Sequence, residues 1–354
     1  MVIEDSILNE DFEYIAECGI DFSALAGKTV LVTGATGLIG SYFIRAMAFC
    51  NELKKLNINI LALVRNIEKA KTIYGAFYDD PAIRFIESDI NDDHHNYISD
   101  EHIDIIIHAA SVTTSKIMVE KPVETIRTAL IGTENMLKLA EEKKVSLFVY
   151  VSSMEAYGTF KESVYVSEDD MGYIDPVKIR SNYSLCKRMC ENMCIAYYSE
   201  YGVPVRIARL SQTFGAGILP WENRVFAQFA RSAIENKDIV LRTKGLSEGN
   251  YCYTRDTITA LLYLIVKGKD GEAYNIANEA NHTNIADMAE LVAQKIADGR
   301  IKVVFDIDED NRSGYAPDTK MKLNTSKIRS LGWTPSVDME ESYRRMIKSM
   351  VDNK

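Results

Sequence analysis

The chain has 354 residues, 47% of them hydrophobic and 26% charged, with a formal net charge of −10. That length buries a large core, as one two-lobed unit or as two domains, and the acidic balance excludes general nucleic-acid binding while leaving room for a local basic phosphate pocket. No apolar run reaches the roughly 18–20 residues of a membrane span, and Met1-Val2-Ile3-Glu4-Asp5 lacks a signal-peptide pattern, so a cytoplasmic protein without membrane association is expected.

Residues 1–26 read as an acidic, partly amphipathic extension. From Lys28 onward strands and helices alternate. Strands are predicted over 29–33, 58–64, 83–87, 103–109, 147–152 and 205–210, with long helices over 122–143 and 183–201. Short apolar strands separated by helices specify an α/β fold with a doubly wound parallel sheet. The dinucleotide-binding domain is placed at 27–210. After Ser211 the alternation weakens: 224–236 and 285–297 read as helices and 271–277 as a late strand, an alternative being that it returns to the sheet. Residues 211–354 are therefore read mainly as a smaller substrate-binding lobe over the carboxyl ends of the strands, where ligands bind in such sheets. Of six cysteines, Cys186, Cys190 and Cys194 recur every four residues along one helix stripe. Small packing residues are the preferred reading, and no metal site is assigned.

The first motif is Gly34-Ala35-Thr36-Gly37-Leu38-Ile39-Gly40, between the first strand and a helical run. Gly34 allows a sharp turn, Gly37 lets backbone N–H groups approach a pyrophosphate, and Gly40 lets the helix pack close to the strand. The spacing is G-x-x-G-x-x-G rather than G-x-G-x-x-G. The second motif, Tyr150-Val151-Ser152-Ser153-Met154-Glu155, ends a strand with hydroxyls and a carboxylate. The third, Tyr183-Ser184-Leu185-Cys186-Lys187, puts a phenol and an ammonium on one helix face.

Together the three motifs resemble the extended short-chain dehydrogenase/reductase family, in particular its nucleotide-sugar epimerases, dehydratases and decarboxylases. The resemblance spans about residues 27–345. It implies a Rossmann fold, a bound nicotinamide dinucleotide and a nucleotide-diphosphate sugar oxidised at C4. Tyr183 would take the hydroxyl proton, with its pKa lowered by Lys187 and the cofactor. Lys187 would also hold the nicotinamide ribose, and Ser153 would orient the reacting oxygen. The cofactor pocket implied comprises Gly34, Thr36, Gly37, Leu38, Ile39, Gly40, Asp89, Ile90, Ala109, Ala110, Ser111, Tyr183 and Lys187. NAD is expected, because an internal redox cycle keeps its cofactor; Arg65, where NAD binders place a carboxylate, joins the cofactor pocket, either accepting a 2′-phosphate, which leaves NADP as the alternative, or stacking on the adenine.

Glu155 is the reaction's discriminator. It could abstract the acidic C5 proton of a 4-keto sugar, or it could cap a helix or pair with a cation. Met154 stands where dehydratases carry a proton donor, and Gly249 where decarboxylases carry a carboxylate-binding arginine, with Arg242 or Arg255 as candidate substitutes. Ser153, Met154, Gln212, Arg224 and Tyr253 are assigned to the substrate, against readings of Arg224 as a solvated arginine and Tyr253 as core. An epimerase/dehydratase is therefore expected, with a UDP-glucuronate decarboxylase as the alternative. A non-catalytic dinucleotide-binding regulator is the reading from another class, and the complete Ser153/Tyr183/Lys187 set argues against it. The helix bearing Tyr183 presents Cys186, Met189, Cys190, Met193, Ile195 and Ala196 on its other faces, and the resemblance implies a homodimer through it.

Overall fold

The computed structural model describes residues 5–93, 98, 100–307 and 318–352. The first half runs α1 (Ser6–Ala16), β1 (Thr29–Thr33), α2 (Leu38–Lys54), β2 (Asn59–Val64), α3 (Ile67–Tyr74), β3 (Ile83–Glu87), β4 (Ile105–His108), α4 (Ser115–Glu120), α5 (Pro122–Lys143), β5 (Leu147–Ser153), β6 (Val164–Val166), α6 (Asn182–Tyr201) and β7 (Val205–Leu210). The second half runs β8 (Gln212–Phe214), α7 (Val225–Glu235), β9 (Ile239–Leu241), β10 (Glu248–Tyr253), α8 (Thr254–Lys267), β11 (Glu272–Ile276), β12 (Asn278–Asn284), α9 (Ile285–Leu291), β13 (Val303–Phe305), β14 (Met321–Leu323), α10 (Ser326–Arg329) and α11 (Met339–Asp352).

Seven strands form one sheet in the order β11-β7-β5-β4-β1-β2-β3, and every neighbouring pair is parallel. Continuous apolar runs suit this sheet because helices cover both faces, and β4 is buried at every position. The chain builds β1, β2 and β3 outward in one direction, then returns to lay β4 on the other side of β1. That reversal opens a crevice at the carboxyl ends of β1 and β4, the place where doubly wound sheets bind ligands. The late strand is β11, which joins the sheet edge beside β7 through pairs such as Tyr274 with Ala208.

The N-terminal segment is part of the core. Asp5 caps α1 by accepting the N–H groups of Ile7 and Leu8, each at 3.0 Å. Ile7, Leu8, Phe12 and Ile15 are buried, and α1 packs against α2, α8 and α11. Full burial of such side chains contributes about 1.5–3 kcal/mol each. The small lobe is centred on β10, parallel to β8 and antiparallel to β12, over a cluster that includes Phe214, Phe226, Tyr251 and Tyr343. Two three-residue pairs, β6 with β14 and β9 with β13, tie distant segments together. Among the described residues no helix is long and apolar enough to cross a membrane.

Candidate active site

The glycine-rich turn takes the shape its residues demand. Gly34 sits at φ +67°, and a Cβ there would stand 2.7 Å from the backbone of Ala109 and Ala110. At Gly40 a Cβ would meet the Gly34 carbonyl oxygen at 2.4 Å, so that residue's lack of a side chain lets α2 lie against the turn. Gly37 starts α2 without any side-chain cap. The first-turn N–H groups, including those of Leu38 and Ile39, therefore face the crevice as an anion site. This cradle fits the pyrophosphate of a nicotinamide dinucleotide. Gly34→Ala is expected to weaken dinucleotide binding at least about tenfold, because both φ and the contact with Ala109 are strained; calorimetric titration measures it, and unchanged affinity would remove the turn from the pocket.

Ala109, Ala110 and Ser111 follow β4 directly opposite this turn, and a relay of hydrogen bonds fixes them. Ala110 N–H donates to Thr33 Oγ1 at 3.2 Å, and Thr33 Oγ1 lies 2.7 Å from His108 Nδ1. His108 Nε2 lies 3.2 Å from Thr133 Oγ1, which donates to Cys190 Sγ at 3.4 Å, and Cys190 donates to Ala129 O at 3.3 Å. Thr133 gives its own proton to sulfur, so it accepts from Nε2–H, and His108 Nδ1 is the acceptor for Thr33. Burial, helped by the Lys187 charge, depresses the His108 pKa to about 3. Asp89 folds back on Asn91, accepting its backbone and side-chain N–H at 2.9 and 2.7 Å. Ile90 is buried, and its carbonyl accepts from Asn135. Arg65 is exposed just past β2. The neighbouring strand end adds a carboxylate that the sequence pattern did not reveal: Glu87, in register with Val64, accepts the Ile67 N–H at 3.1 Å.

α6 is docked onto β5 by a ladder of polar contacts from one face. Lys187 donates to Val151 O at 2.8 Å, with its ammonium 4.8 Å from the Tyr150 ring centroid and 5.7 Å from that of Tyr183. Arg188 donates to the carbonyls of Ala156, Tyr157 and Gly172 at 2.6, 2.9 and 2.8 Å. Glu191 accepts from Ser152 Oγ at 2.5 Å and pairs with Arg209, side-chain exposures 7% and 6%. Arg209 in turn donates to the Tyr157 hydroxyl and Glu168 carbonyl. These contacts span the turn 154–157, so they set Ser153, Glu155, Tyr183 and Lys187 as one rigid group. Arg188, Glu191 and Arg209 escaped the sequence reading; the i+1 and i+4 spacing of the first two from Lys187 was the available signal.

The Tyr183 phenol is 8% exposed, and the Ser153 hydroxyl is among the groups that act on it, while Ser153 Oγ accepts the Glu155 N–H at 3.2 Å. The phenol pKa is pushed up to about 12, first by burial and then by the Glu155 charge; the Ser153 hydroxyl and the charges of Arg224 and Arg180 pull the other way. The sequence expectation assigned the lowering to Lys187 and the cofactor together; in the chain alone the phenol is not acidic. The ammonium is spent on Val151 O, and burial brings its own pKa down to about 8. Glu155 is held by Arg180, whose Nη1 and Nη2 donate to Oε2 and Oε1 at 3.1 and 3.3 Å, with Ser184 Oγ 3.4 Å from Oε2. Glu155 is thus paired with a cation in this structure. Arg180, three residues before Tyr183, was also missed.

The substrate residues divide. Gln212 opens β8, half-buried beside Tyr251. Arg224 starts α7 and pairs with Glu222 at 2.7 Å, while its charge still reaches Tyr183. Met154 is buried, and a Cβ on Gly249 would lie 3.6 Å from its Cε. Tyr253 is a correction: it is 0% exposed and bonded to Asp11 and Arg345, so it belongs to the core that anchors α1. Arg255 is drawn into the same cluster by Asp11, and Arg242 pairs with Asp306, so neither substitutes for the arginine missing at Gly249.

A family model described as the NAD dependent epimerase/dehydratase family matches residues 30–277. Human dTDP-D-glucose 4,6-dehydratase is 26% identical over 333 residues, covering 92% of this chain and 91% of that protein. UDP-glucuronic acid decarboxylase 1 of Danio rerio is 28% identical, covering 91% of this chain and 72% of that protein. Among solved structures, an epimerase from Methanothermobacter thermautotrophicus matches with a TM-score of 0.79 at 23% identity, covering 97% and 96% of the two chains.

Proposed function

Because the chain belongs to the NAD dependent epimerase/dehydratase family, we propose that it oxidises a nucleotide-diphosphate sugar at C4 and carries the 4-keto sugar on to an isomerised or eliminated product. The observation that carries this reading is the placing of Ser153, at the end of β5, with the buried Tyr183 and Lys187 of α6, the Lys187 ammonium 5.7 Å from the Tyr183 ring centroid. NAD, bound along the glycine turn and residues 109–111, supplies the acceptor for the C4 hydride. Ser153 holds the C4 oxygen, Tyr183 exchanges its proton, and the rigid docking of α6 keeps both in register. Arg224, at the start of α7, is the candidate contact for the substrate's diphosphate. The relatives named for dTDP-glucose and UDP-glucuronate chemistry support a nucleotide-sugar substrate.

NAD is favoured over NADP by Glu87. Its carboxylate lies at the start of α3, beside the strand end where a 2′-phosphate would sit, and opposes that phosphate even with Arg65 nearby. The experiment is a panel of nucleotide sugars read by mass spectrometry and by reduced-nicotinamide absorbance. No product from any sugar, together with no transient reduced nicotinamide in a single turnover, would sink the proposal.

The same reading includes a homodimer. Ile126 and Leu130 of α5 and Leu185, Cys186 and Met189 of α6 line an apolar groove between the two helices. Val123 and Met189 are 67% and 49% exposed, apolar surface that a second copy would cover. Met189→Asp is expected to halve the mass seen by light scattering; a wild-type monomer mass independent of concentration would count against pairing.

A further inference from the structure

The fate of the sugar after C4 oxidation depends on which groups near Tyr183 are free to move a proton. Both oxygens of Glu155 are engaged by the Arg180 fork, and Ser184 Oγ approaches one of them. Arg180 lies on the short turn Ile179–Ser181 and also reaches Ser115 Oγ at 3.4 Å. The ion pair is sheltered, with side-chain exposures of 19% for Arg180 and 30% for Glu155. Met154, beside Glu155, has a thioether and no proton to give, and it faces Gly249, which adds no cation.

Resting on the proposed C4 oxidation, we infer that Arg180 withholds Glu155 from the sugar's C5 proton, so that the keto sugar is reduced again at C4 with its C5 hydrogen kept. The reaction assigned is a C4 epimerisation, and Arg180 is its specificity-determining residue. To reach the C5 proton, a Glu155 oxygen would have to leave the Arg180 fork that holds both of them. Arg180 Nε is already buried without an acceptor. Elimination would in addition need an acid at Met154, and decarboxylation a cation at Gly249. Epimerisation needs neither: the hydride taken from C4 returns to C4, the proton taken from O4 returns to O4, and no co-reactant is consumed.

The test uses the whole protein with NAD and UDP-glucose, dTDP-glucose or UDP-glucuronate in deuterium oxide, with products read by mass and by NMR at C5. The expected wild-type product is an isomer of unchanged composition with hydrogen at C5. Arg180→Gln is expected to raise C5 deuterium per turnover at least about tenfold, the worth of a charge-assisted bond. Adding Glu155→Gln removes that gain, and Arg180→Lys, which keeps the charge, holds exchange low. A merely structural role for Arg180 would lower turnover without moving deuterium into C5. Loss of water or carbon dioxide, C5 exchange at every wild-type turnover, or no rise in Arg180→Gln overturns the inference. No isomer from any of the three sugars, with no transient reduced nicotinamide in a single turnover, overturns the C4-oxidation reading as well, and so is told apart from failure at Arg180 alone. The wild-type exchange decides the matter even if Arg180→Gln does not fold.

Discussion

Tyr183→Phe is expected to lower turnover by about 10²–10⁴-fold, the usual range for losing a positioned acid–base group, while dinucleotide affinity stays within about twofold. The substitution removes one oxygen and keeps the ring, so the packing of α6 on β5 is preserved. The hydroxyl of Ser153 and the charges of Glu155, Arg180 and Arg224 all act on that oxygen. In the chain alone burial pushes its pKa up to about 12; the positive charge of an oxidised nicotinamide would favour the phenolate that takes the O4 proton. The same burial that raises the pKa also strengthens each opposing charge, because the local dielectric is low. Single-turnover measurement of reduced-nicotinamide absorbance, paired with calorimetric binding, checks both halves. Turnover equal to wild type would place the chemistry elsewhere.

The second large effect lies outside the reacting atoms. Stability is expected to fall as pH drops from about 6.5 toward 3, and His108 is expected to account for much of the loss. An unfolded histidine takes a proton near pH 6.5, whereas His108 in the folded chain resists protonation until about pH 3. Between those values the unfolded state binds the extra proton, so acid favours unfolding. The contribution is present above pH 6.5, is reduced by about 2 kcal/mol at pH 5, and by about 4–5 kcal/mol at pH 3. The structural reason is the relay: protonated Nδ1 could no longer accept from Thr33, and a second buried cation would face Lys187. Urea unfolding at pH 7, 5 and 4 should show this slope, and His108→Gln should flatten it relative to wild type. Parallel curves for the two proteins would mean that His108 is not the responsible group.

The seven-stranded sheet was legible in the sequence for a simple reason. Strands covered on both faces are almost wholly apolar, and helices covered on one face repeat every three to four residues, so both leave a periodic record. Thr29–Thr33, Ile83–Glu87 and Val205–Leu210 fall where that record puts them. The glycine turn was legible because only glycine tolerates φ +67° against the Ala109 backbone. Tyr183 and Lys187 were legible because a four-residue helical spacing puts them on one face. Each of these patterns lies within a short local window, even where, as at Gly34, the close neighbour is a distant segment.

What only the tertiary structure decided depends on distant partners. Three-residue strands such as β6 and β14 exist because they meet each other, with Met321 opposite Val164, and such short segments carry no pattern of their own. Tyr253 became core because Asp11, on a helix 242 residues earlier, claims its hydroxyl. The Arg180 fork across Glu155 and the Glu87 carboxylate bound to Ile67 N–H near Arg65 were contacts that no local pattern announced. The chain's local periodicity determined its framework; the charge state and availability of each reactive group were settled by contacts that folding alone brings within hydrogen-bond reach.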